Sequence, residues 1–421
     1  MWQNTLLYDL IEQLIGYSYY YPLLMAYLWM AGSIFYYFHW ERKTSPQNPP
    51  KLPSYPLVSV LVPCHNEELH IQETIDYLML SKYPNFEVIA INDGSSDRTG
   101  EILKSLEQKY DRLRVIELAE NHGKATALNM GAMAANGEYL VCIDGDAILD
   151  DQAICWMMHH FLTGARVGAV TGNPRIRNRS SLLGKIQIGE FSAIVGMIKR
   201  AQRVYGRVFT VSGVVAAFRK SAVHKVGYWH TDMATEDIDI SWRLELNHWD
   251  IRFEPNALCW MLVPETLGGL WRQRLRWAQG GAEVIRKYFW KMLDWKSRRM
   301  WGIYLEYLLS LIWAYAAIMT LALWALGYVV DLPPQIEVPT LIPSIYGTIL
   351  GVTFLLQFGL SLLIDSRYEK GVARYYYWII WYPFVFWILN VFTTSVGFIK
   401  ALFKKEGKEA IWKSPDRGWR D

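Results

Sequence analysis

The chain of 421 residues is 52% hydrophobic and only 20% charged, which is too apolar for a wholly soluble protein of this length. Its formal net charge is +3, with lysine and arginine scattered along the sequence, so the composition gives no support to a nucleic-acid-binding surface. The four cysteines form no CxxC pair and the nine histidines form no HExxH motif, so any bound metal should be held by carboxylates.

Four apolar stretches are long enough to cross a bilayer as helices, which takes about 20 residues each. The first is too long for the apolar region of a signal peptide and no basic residue precedes it, so we expect a retained anchor. Because basic residues begin only at Arg42, the positive-inside rule places the N terminus outside and the long middle segment in the cytosol. The stretches are Leu14–Phe38, Tyr307–Val330, Leu341–Ile364 and Tyr375–Ile399.

The fourth stretch conflicts with the same rule. Four crossings would put the basic tail that starts near Lys400 outside, whereas basic segments favour the cytosol. Pro383 lies within this stretch and allows a broken or interfacial helix. The side of the membrane on which the tail lies therefore stays open.

Between the first two apolar stretches, short apolar segments alternate with helix-like segments. This alternation predicts an α/β domain with a parallel sheet covered by helices on both faces. The expected strands are Val58–Val62, Val88–Asn92, Leu113–Leu118 and Tyr139–Ile143, and the expected helices are Glu68–Ser81, Thr99–Tyr110 and Lys124–Ala135.

Three of these strands end in polar clusters, which contain Glu67, Asp93 and the pair Asp144 and Asp146. Because ligands gather at the carboxyl ends of parallel strands, we expect the three clusters to meet at one edge of the sheet. The sequence has neither a GxGxxG nor a GxxxxGK[ST] motif, which excludes a dinucleotide fingerprint and a phosphate loop of those types.

Asp144 and Asp146 are the candidate metal ligands. They stand two residues apart at the end of an apolar strand, where both carboxylates can turn toward one point. Paired hard oxygens suit Mg²⁺ or Mn²⁺, ions that also bind diphosphate oxygens. The alternative is an ordinary polar turn, since Asp-Gly-Asp is common turn chemistry.

Asp93 and Lys124 are weaker candidates for nucleotide binding. Asp93 could accept a hydrogen bond from a base, although residues 95–97 of the same cluster could simply cap the next helix. Lys124 could neutralise a phosphate, or be a solvated residue at a helix start.

The segment Thr235-Glu236-Asp237 opens a predicted helix and supplies the candidate general base. Asp237 could accept a proton from a sugar hydroxyl that attacks an activated carbon. Acidic residues are also common in a first helical turn, where they suit the helix dipole.

A predicted amphipathic helix follows, with an apolar face and a polar face. Gln273, Arg276 and Trp277 lie at i, i+3 and i+4 on the polar face. Arginine can bind diphosphate oxygens with two hydrogen bonds, and an indole offers a stacking surface for a sugar ring. The alternative is a basic helix that only rests on anionic lipid. The apolar face comprises Leu267, Trp271, Leu275, Ala278, Ala282, Ile285 and Phe289, and we expect it to lie on the membrane.

In this order, Asp93, Asp144-x-Asp146, Thr235-Glu236-Asp237 and Gln273-x-x-Arg276-Trp277 resemble the D, DxD, TED and QxxRW motifs of processive family 2 glycosyltransferases. The resemblance implies a GT-A fold, an α/β domain with a Rossmann-like parallel or mixed sheet, inserted on the cytosolic side between transmembrane helices. It also implies a UDP-sugar donor and a divalent cation, Mg²⁺ or Mn²⁺. The implied roles are catalytic for Asp237 and Glu236, metal binding for Asp144 and Asp146, nucleotide-sugar binding for Asp93, Lys124, Asp144, Arg276 and Glu67, and acceptor binding for Gln273 and Trp277.

Within that family, three runs look like the bacterial poly-β-1,6-N-acetyl-D-glucosamine synthases of the biofilm matrix: residues 170–200, 210–222 and 233–246. This likeness implies UDP-GlcNAc, a growing polysaccharide, a multi-pass location in the bacterial inner membrane, and a small membrane partner, with cyclic di-GMP at the interface in some bacteria. The alternatives are a hyaluronan, chitin or cellulose type of synthase, a single-sugar transferase, or a non-catalytic membrane sensor or transporter.

The predicted organisation has five parts. An N-terminal transmembrane anchor (residues 1–45) precedes a GT-A domain (46–264) and an interfacial amphipathic region (265–300). C-terminal transmembrane helices (301–400) and a basic tail (401–421) follow.

Overall fold

A computed structural model of the protein describes residues 2–338, 345–382, 386–405 and 407. The strands are β1 (Val58–Cys64), β2 (Phe86–Asp93), β3 (Leu113–Leu118), β4 (Tyr139–Ile143), β5 (Ile148–Leu149), β6 (Val167–Ile176), β7 (Val215–Arg219) and β8 (Asp250–Met261). The helices are α1 (Trp2–Tyr36), α2 (Ile71–Leu78), α3 (Thr99–Lys109), α4 (Lys124–Ala134), α5 (Ala153–Thr163), α6 (Leu182–Glu190), α7 (Ile198–Tyr205), α8 (Lys220–Lys225), α9 (Glu236–Leu246), α10 (Leu267–Met292), α11 (Trp301–Leu326), α12 (Ile345–Asp365), α13 (Tyr376–Ile379) and α14 (Ile388–Phe403).

The eight strands form one sheet in the order β3-β2-β1-β4-β7-β6-β8-β5. The strands β3, β2, β1 and β4 run parallel, as the β–α alternation predicts. β7 runs antiparallel to both β4 and β6, so the sheet as a whole is mixed. Every residue of β1 and β4 is buried, because helices cover both faces of the sheet.

Two apolar cores lie on the two faces of this sheet. One contains residues of α2, α3 and α5, such as Ile71, Leu103 and Met157. The other contains residues of α4 and α9, such as Leu128 and Leu244. Because both faces are anchored, the carboxyl-terminal strand ends are held in fixed positions at one edge of the sheet.

Two helices among the described residues are long and apolar enough to cross a membrane, namely Trp295–Leu326 and Gly347–Asp365. The first expected anchor begins within α1, a continuous helix that contains Pro22, and ends in the π-helical segment that follows, Tyr37–Glu41. Residues 341–344 of the third expected stretch lie outside the described ranges.

The fourth apolar stretch is not a single helix. Its described residues include the end of a 3-10 turn (Val372–Tyr375), the short α13 and most of α14. Pro383, which allowed this break in the sequence interpretation, lies outside the described residues.

α14 packs lengthwise against α10. A Cβ on Gly397 would lie 2.8 Å from the backbone nitrogen of Gln279, so only glycine permits this approach. Further along, the Arg286 guanidinium donates to the carbonyl oxygens of Ala401 and Leu402 at 2.6 and 2.9 Å. The Lys404 ammonium then donates to Glu283 on α10 at 2.9 Å, so the chain directly after α14 also lies against α10.

A buried ionic cluster joins the helices to the sheet domain. Arg200 on α7 binds Glu41 after α1 at 2.6 Å and Asp365 at the end of α12 at 3.2 Å. Arg175 at the end of β6 binds Asp365 and Glu369 at 2.5 and 2.9 Å. Charges removed from water must be paired to be tolerated, so this cluster fixes where α1 and α12 meet the domain.

Candidate active site

The three polar clusters at the strand ends do converge, as expected. The His65 ring nitrogen Nδ1 lies 2.8 Å from the carbonyl oxygen of Asp93, which ties the β1 end to the β2 end. At the β4 end, a Cβ on Gly145 would lie 3.2 Å from Cγ of Glu67. The glycine of Asp-Gly-Asp therefore lets the β4 turn pack closely on the β1 end, and Asp144 and Asp146 flank that contact.

Asp144 and Asp146 both line a large cavity. Asp144 forms an ion pair with Lys124, which opens α4, and Lys124 also donates to the carbonyl oxygen of Gly213 at 3.1 Å and lies 3.6 Å from Glu236. Burial alone would lower the pKa of Lys124, but the negative charges of Asp144 and Glu236 outweigh it and raise that pKa above its usual value. Lys124 thus stays charged at the edge of the cavity.

Asp93 is fully buried and is not among the residues that line the cavity. Its carboxylate accepts hydrogen bonds from the backbone nitrogens of His122 and Gly123 at 2.9 and 2.8 Å. Gly123 has a φ of +88°, a conformation that favours glycine. Asp93 therefore orders the turn that delivers Lys124, and its predicted contact with a nucleotide base stays a prediction.

Glu67 is likewise buried and outside the cavity lining. Its backbone nitrogen donates to Thr99 Oγ1 at 2.7 Å, which joins the β1 end to the start of α3. Its side chain packs against Gly145. The structure places Glu67 behind Asp144 and Asp146, and its predicted role in nucleotide-sugar binding stays a prediction.

Asp237 lies in the first turn of α9 and faces the same cavity. Its carboxylate accepts from the backbone nitrogens of Gly213 and Ile238 at 3.1 and 3.0 Å. Burial raises the pKa of Asp237 to about 6, the charge of Glu236 acts in the same direction, and the charges of Lys124 and Arg276 oppose them. A carboxylate with this pKa is ionised at neutral pH and is a stronger base than an ordinary aspartate.

α10 holds the Thr235-Glu236-Asp237 segment in place through two contacts. Gly280 on α10 lies directly against the Thr235 side chain, and the Glu283 carboxylate accepts a hydrogen bond from the backbone nitrogen of Ala234 at 2.9 Å. Sequence analysis did not identify either α10 residue, because their partners lie more than 40 positions away.

Gln273, Arg276 and Trp277 on α10 also line the cavity, as the helical spacing predicts. Arg274 supports them from behind. It donates to Gln273 at 3.1 Å, lies 4.2 Å from the ring centre of Trp277, and forms a buried ion pair with Glu190 at 2.5 Å. The sequence shows Arg274 only as one of several arginines, and nothing in it points to Glu190 as the partner.

The apolar face of α10 is only partly free to lie on a membrane. Ala282 and Ile285 are buried, and Ile285 packs in a core with residues of α11 such as Ile303. Leu267 and Phe289 at the two ends are exposed. The middle of the expected membrane-facing side therefore packs on the chain's own helices.

The cavity has a volume of about 990 Å³ and brings together residues from distant parts of the chain. Asp146, Asp237 and Trp277 share it, which is the juxtaposition that a common active site requires. The same cavity continues between the apolar helices. There its lining includes Trp29, Glu306, Trp313, Phe354, Trp387 and Asn390.

Lys199 on α7 is a cavity residue that the sequence motifs do not include. Its ammonium is buried and donates to the hydroxyls of Thr171 and Ser212 at 3.0 and 2.5 Å. Burial lowers the pKa of Lys199 to about 7, and the charge of Asp237 opposes that shift. An amphipathic helix gives no sign that one of its lysines faces inward, so only the fold reveals this residue.

The donor set at Asp144 and Asp146 fits a hard divalent cation. Within the described residues, no group of three or more His, Cys, Asp or Glu side chains could hold a metal ion. Mg²⁺ and Mn²⁺ suit such a sparse site, because diphosphate oxygens and water can supply the remaining ligands. The Lys124–Asp144 ion pair shows that a positive charge is already favoured at this point.

Comparison with known proteins identifies the family. The sequence profile described as "Glycosyltransferase like family 2" matches residues 55–280, which include all four motifs. The chain belongs to this family.

Two curated relatives, both called poly-beta-1,6-N-acetyl-D-glucosamine synthase, cover almost the whole chain. The Staphylococcus epidermidis protein is 42% identical over 403 residues, 95% of this chain and 97% of its own length. The protein of Staphylococcus aureus strain COL is 43% identical over 408 residues, 96% of this chain and 99% of its own.

A solved structure supports the fold of this family 2 glycosyltransferase. A mannosyltransferase from Pyrobaculum calidifontis, in complex with GDP-Man and Mn²⁺, superposes with a TM-score of 0.65 at 20% identity, over 94% of this chain and 100% of its own. The GT-A fold expected from the motifs is therefore confirmed, as is the likeness to poly-β-1,6-N-acetyl-D-glucosamine synthases. The roles of individual residues stay predictions.

Proposed function

We propose that this chain transfers N-acetylglucosamine from UDP-GlcNAc to a growing β-1,6-linked poly-N-acetylglucosamine chain, processively and with inversion, and couples synthesis to export across the inner membrane. One observation carries the proposal: a single cavity contains Asp144, Asp146, Asp237 and Trp277 and continues between apolar helices. The name of the relatives, which match over 95% of the chain, supports the polymer and linkage.

The donor site lies at the strand ends. Asp144 and Asp146 would hold Mg²⁺ or Mn²⁺, which when bound neutralises charge on the donor diphosphate. Lys124 and Arg276 face the same cavity and add positive charge that diphosphate oxygens can bind. The side chains of Lys124 and Arg276 also hold the leaving UDP, whose negative charge increases as the sugar departs.

The chemical step is one displacement with Asp237 as base. The acceptor hydroxyl oxygen forms a bond to the anomeric carbon while the bond from that carbon to the diphosphate oxygen breaks, and the hydroxyl proton passes to Asp237. Attack from the face opposite the α-linked UDP gives a β linkage. Gly213 and Ile238 hold the Asp237 carboxylate in place through their backbone nitrogens, so the base is oriented before the acceptor arrives.

The acceptor site lies on α10. Trp277 offers an aromatic face, and its ring is fixed by Arg274 on one side and by Phe191, whose ring centre is 6.4 Å away. Gln273 adds an amide for sugar hydroxyls. A platform of this kind suits an acceptor that stays bound after each addition, which a single-sugar transferase does not need.

Export would follow from the way the cavity continues. Its far part is lined by Trp29, Trp313 and Trp387, whose rings suit a sugar chain, and by the amide of Asn390. In this placement α1, α11 and α12 cross the inner membrane and the catalytic domain is cytosolic. A small membrane partner, with cyclic di-GMP at the shared interface in some bacteria, belongs to the same proposal.

The test is a direct synthesis assay. The purified enzyme in phospholipid nanodiscs is given a panel of radiolabelled UDP-sugars with Mg²⁺ or Mn²⁺, and the product is digested with linkage-specific hydrolases. We expect polymer only from UDP-GlcNAc, sensitive to a β-1,6-specific hydrolase and absent in Asp237→Asn. Asp151→Asn is the matched control, because Asp151 pairs with Lys82 at the surface. A hyaluronan, chitin or cellulose product, or no polymer at all, would contradict the proposal.

A further inference from the structure

A second pocket of about 750 Å³ lies apart from the catalytic cavity and shares no lining residue with it. Its wall comes from the loop before β6, the end of α7, the start of β8 and the start of α11. The charged residues of this wall, which we call the arginine pocket, are Arg166, Arg207, Arg252, Arg298, Arg299 and Asp250.

The arginine pocket has a large excess of positive charge. Asp250 is the one carboxylate among the described residues of its lining, and it already pairs with Arg252 at 3.2 Å and lies 3.9 Å from Arg207. Within the described parts of the chain, Arg166, Arg298 and Arg299 form no ion pair. Five guanidinium groups around one concave surface repel each other, and a bound anion relieves that repulsion.

The pocket lies between the sheet domain and the start of α11. Arg298 and Arg299 directly precede α11, in the segment Trp295–Leu326 that is apolar enough to cross a membrane. Trp290 and Trp295 nearby are 78% and 67% exposed, as expected for aromatic side chains at the edge of a bilayer. If α11 crosses the bilayer as proposed above, the arginine pocket faces the phospholipid headgroups.

We propose that the arginine pocket binds a phosphate group at the bilayer surface. A guanidinium group can donate two hydrogen bonds to two oxygens of one phosphate. Several guanidinium groups around one pocket favour an anionic phosphate headgroup over a zwitterionic one, in which choline already balances the phosphate charge. The volume exceeds that of a single phosphate and leaves room for the glycerol of a headgroup. Gly206 lines the pocket with nothing within 4 Å of the place where a Cβ would lie, so the entrance is open.

The experiment uses the full-length chain in nanodiscs of phosphatidylcholine with or without phosphatidylglycerol. Native mass spectrometry measures the phosphatidylglycerol that each variant retains. The test variant is Arg298→Gln/Arg299→Gln, and the matched control is Lys291→Gln/Lys296→Gln, which removes two exposed charges from the same surface outside the pocket. We expect both variants to lose about fivefold per charge removed near anionic lipid, and the test variant to lose about tenfold more than the control, because only it also loses guanidinium hydrogen bonds to the phosphate.

A soluble arm separates the two sources of phosphate. Glycerol 3-phosphate is added to phosphatidylcholine nanodiscs, and stabilisation against thermal unfolding is measured. Saturable stabilisation that the pocket variant lacks, without retention of phosphatidylglycerol, assigns the pocket to a soluble phosphate compound. Equal loss in the test and control variants, or no loss in either arm, overturns the proposal.

Arg166→Gln provides a second variant in case the double substitution does not fold. Arg166 is exposed on the loop before β6 and is far in sequence from α11, so its loss should weaken phosphate binding without disturbing the helix. Recovery of the wild-type chain in phosphatidylcholine nanodiscs tests the membrane placement separately. A chain that enters these nanodiscs but shows no preference for phosphatidylglycerol or glycerol 3-phosphate contradicts the proposed phosphate site and leaves the proposed polymer synthesis standing.

Discussion

Gly280 on α10 and Thr235 before α9 are packed against each other so closely that a Cβ on Gly280 would lie 2.6 Å from Cγ2 of Thr235. Glycine is therefore required at this position, and the spacing of α10 from the catalytic segment depends on it. Through this contact the helix that carries the proposed acceptor residues also sets the position of the proposed base, Asp237.

Gly280→Ala should lower kcat by about 10²-fold, because the methyl group pushes the Thr235-Glu236-Asp237 segment away, and a shift of about 1 Å at a reacting group has this effect. UDP-GlcNAc turnover in nanodiscs is the measurement. Gly268→Ala is the matched control on the same helix, since its Cβ would meet only Arg272 at 3.8 Å. Equal rates in the two variants would show that the Gly280 contact does not position the base.

Asp237→Asn should reduce turnover by about 10²- to 10⁴-fold and leave UDP affinity nearly unchanged, because asparagine keeps the shape and loses the base. Radiolabel incorporation gives the rate, and isothermal titration with UDP gives the affinity. Asp151→Asn should behave as wild type in both measurements. Wild-type rates in Asp237→Asn would refute the assignment of the base.

The pH dependence of the rate should report the same carboxylate. Asp237 must be ionised to accept a proton, and its pKa is about 6, so kcat/KM should fall about tenfold per pH unit below pH 6. A wild-type rate profile that is flat from pH 5 to 8 is the contrary result.

The raised pKa of Asp237 also affects stability. On acidification the Asp237 carboxylate takes up its proton at a higher pH in the folded state than in the unfolded state, so the ionised group lowers the free energy of unfolding above pH 6. Thermal unfolding of Asp237→Asn at pH 8 should therefore occur at a higher temperature than that of wild type.

Asp146→Asn should raise the concentration of Mg²⁺ or Mn²⁺ needed for half-maximal activity by at least about tenfold, because one of the two proposed carboxylate ligands loses its charge. Titrating metal-depleted enzyme with each cation measures this requirement. Chelation with EDTA should abolish wild-type activity reversibly. An unchanged cation requirement in Asp146→Asn would separate this residue from the metal.

The buried pair of Arg274 and Glu190 yields a prediction about stability. Glu190→Gln or Arg274→Met alone should lower the free energy of unfolding by about 3–5 kcal/mol, because each leaves one buried charge unpaired. The double variant Glu190→Gln/Arg274→Met should lose less than the sum of the two single losses, because it leaves no buried charge unpaired. Chemical denaturation in detergent measures the three values, and additive losses in the double variant would show that the two side chains do not interact.

The strands and the motif positions were predictable from local sequence. Leu113–Leu118 and Tyr139–Ile143 begin and end in the structure where the sequence places them, and Asp144 follows the second of these strands directly. Short apolar runs bounded by polar clusters fix such elements, because a strand buried on both faces tolerates few polar residues. The order of the motifs along the chain then predicts the family and the GT-A fold.

Composition leaves open what surrounds the fourth apolar stretch. Composition suggests a spanning helix from Tyr375 to Ile399, yet the structure has a short α13 and a 16-residue α14 that lies along α10. Hydropathy reports that a segment avoids water and does not tell lipid from another helix as the place where it goes. The packing of Gly397 on Gln279 shows that one side of this stretch lies against another helix.

The sequence by itself determined the family, the first four strands of a parallel sheet and the set of charged and aromatic residues available for catalysis, because these depend on local patterns. Only the tertiary structure decided which of those residues share the cavity. It placed Asp93 and Glu67 behind the site, brought Lys199 into it and gathered the arginine pocket at the base of α11. Contacts between positions far apart in sequence depend on packing and on the pairing of buried charges, and no local pattern encodes them.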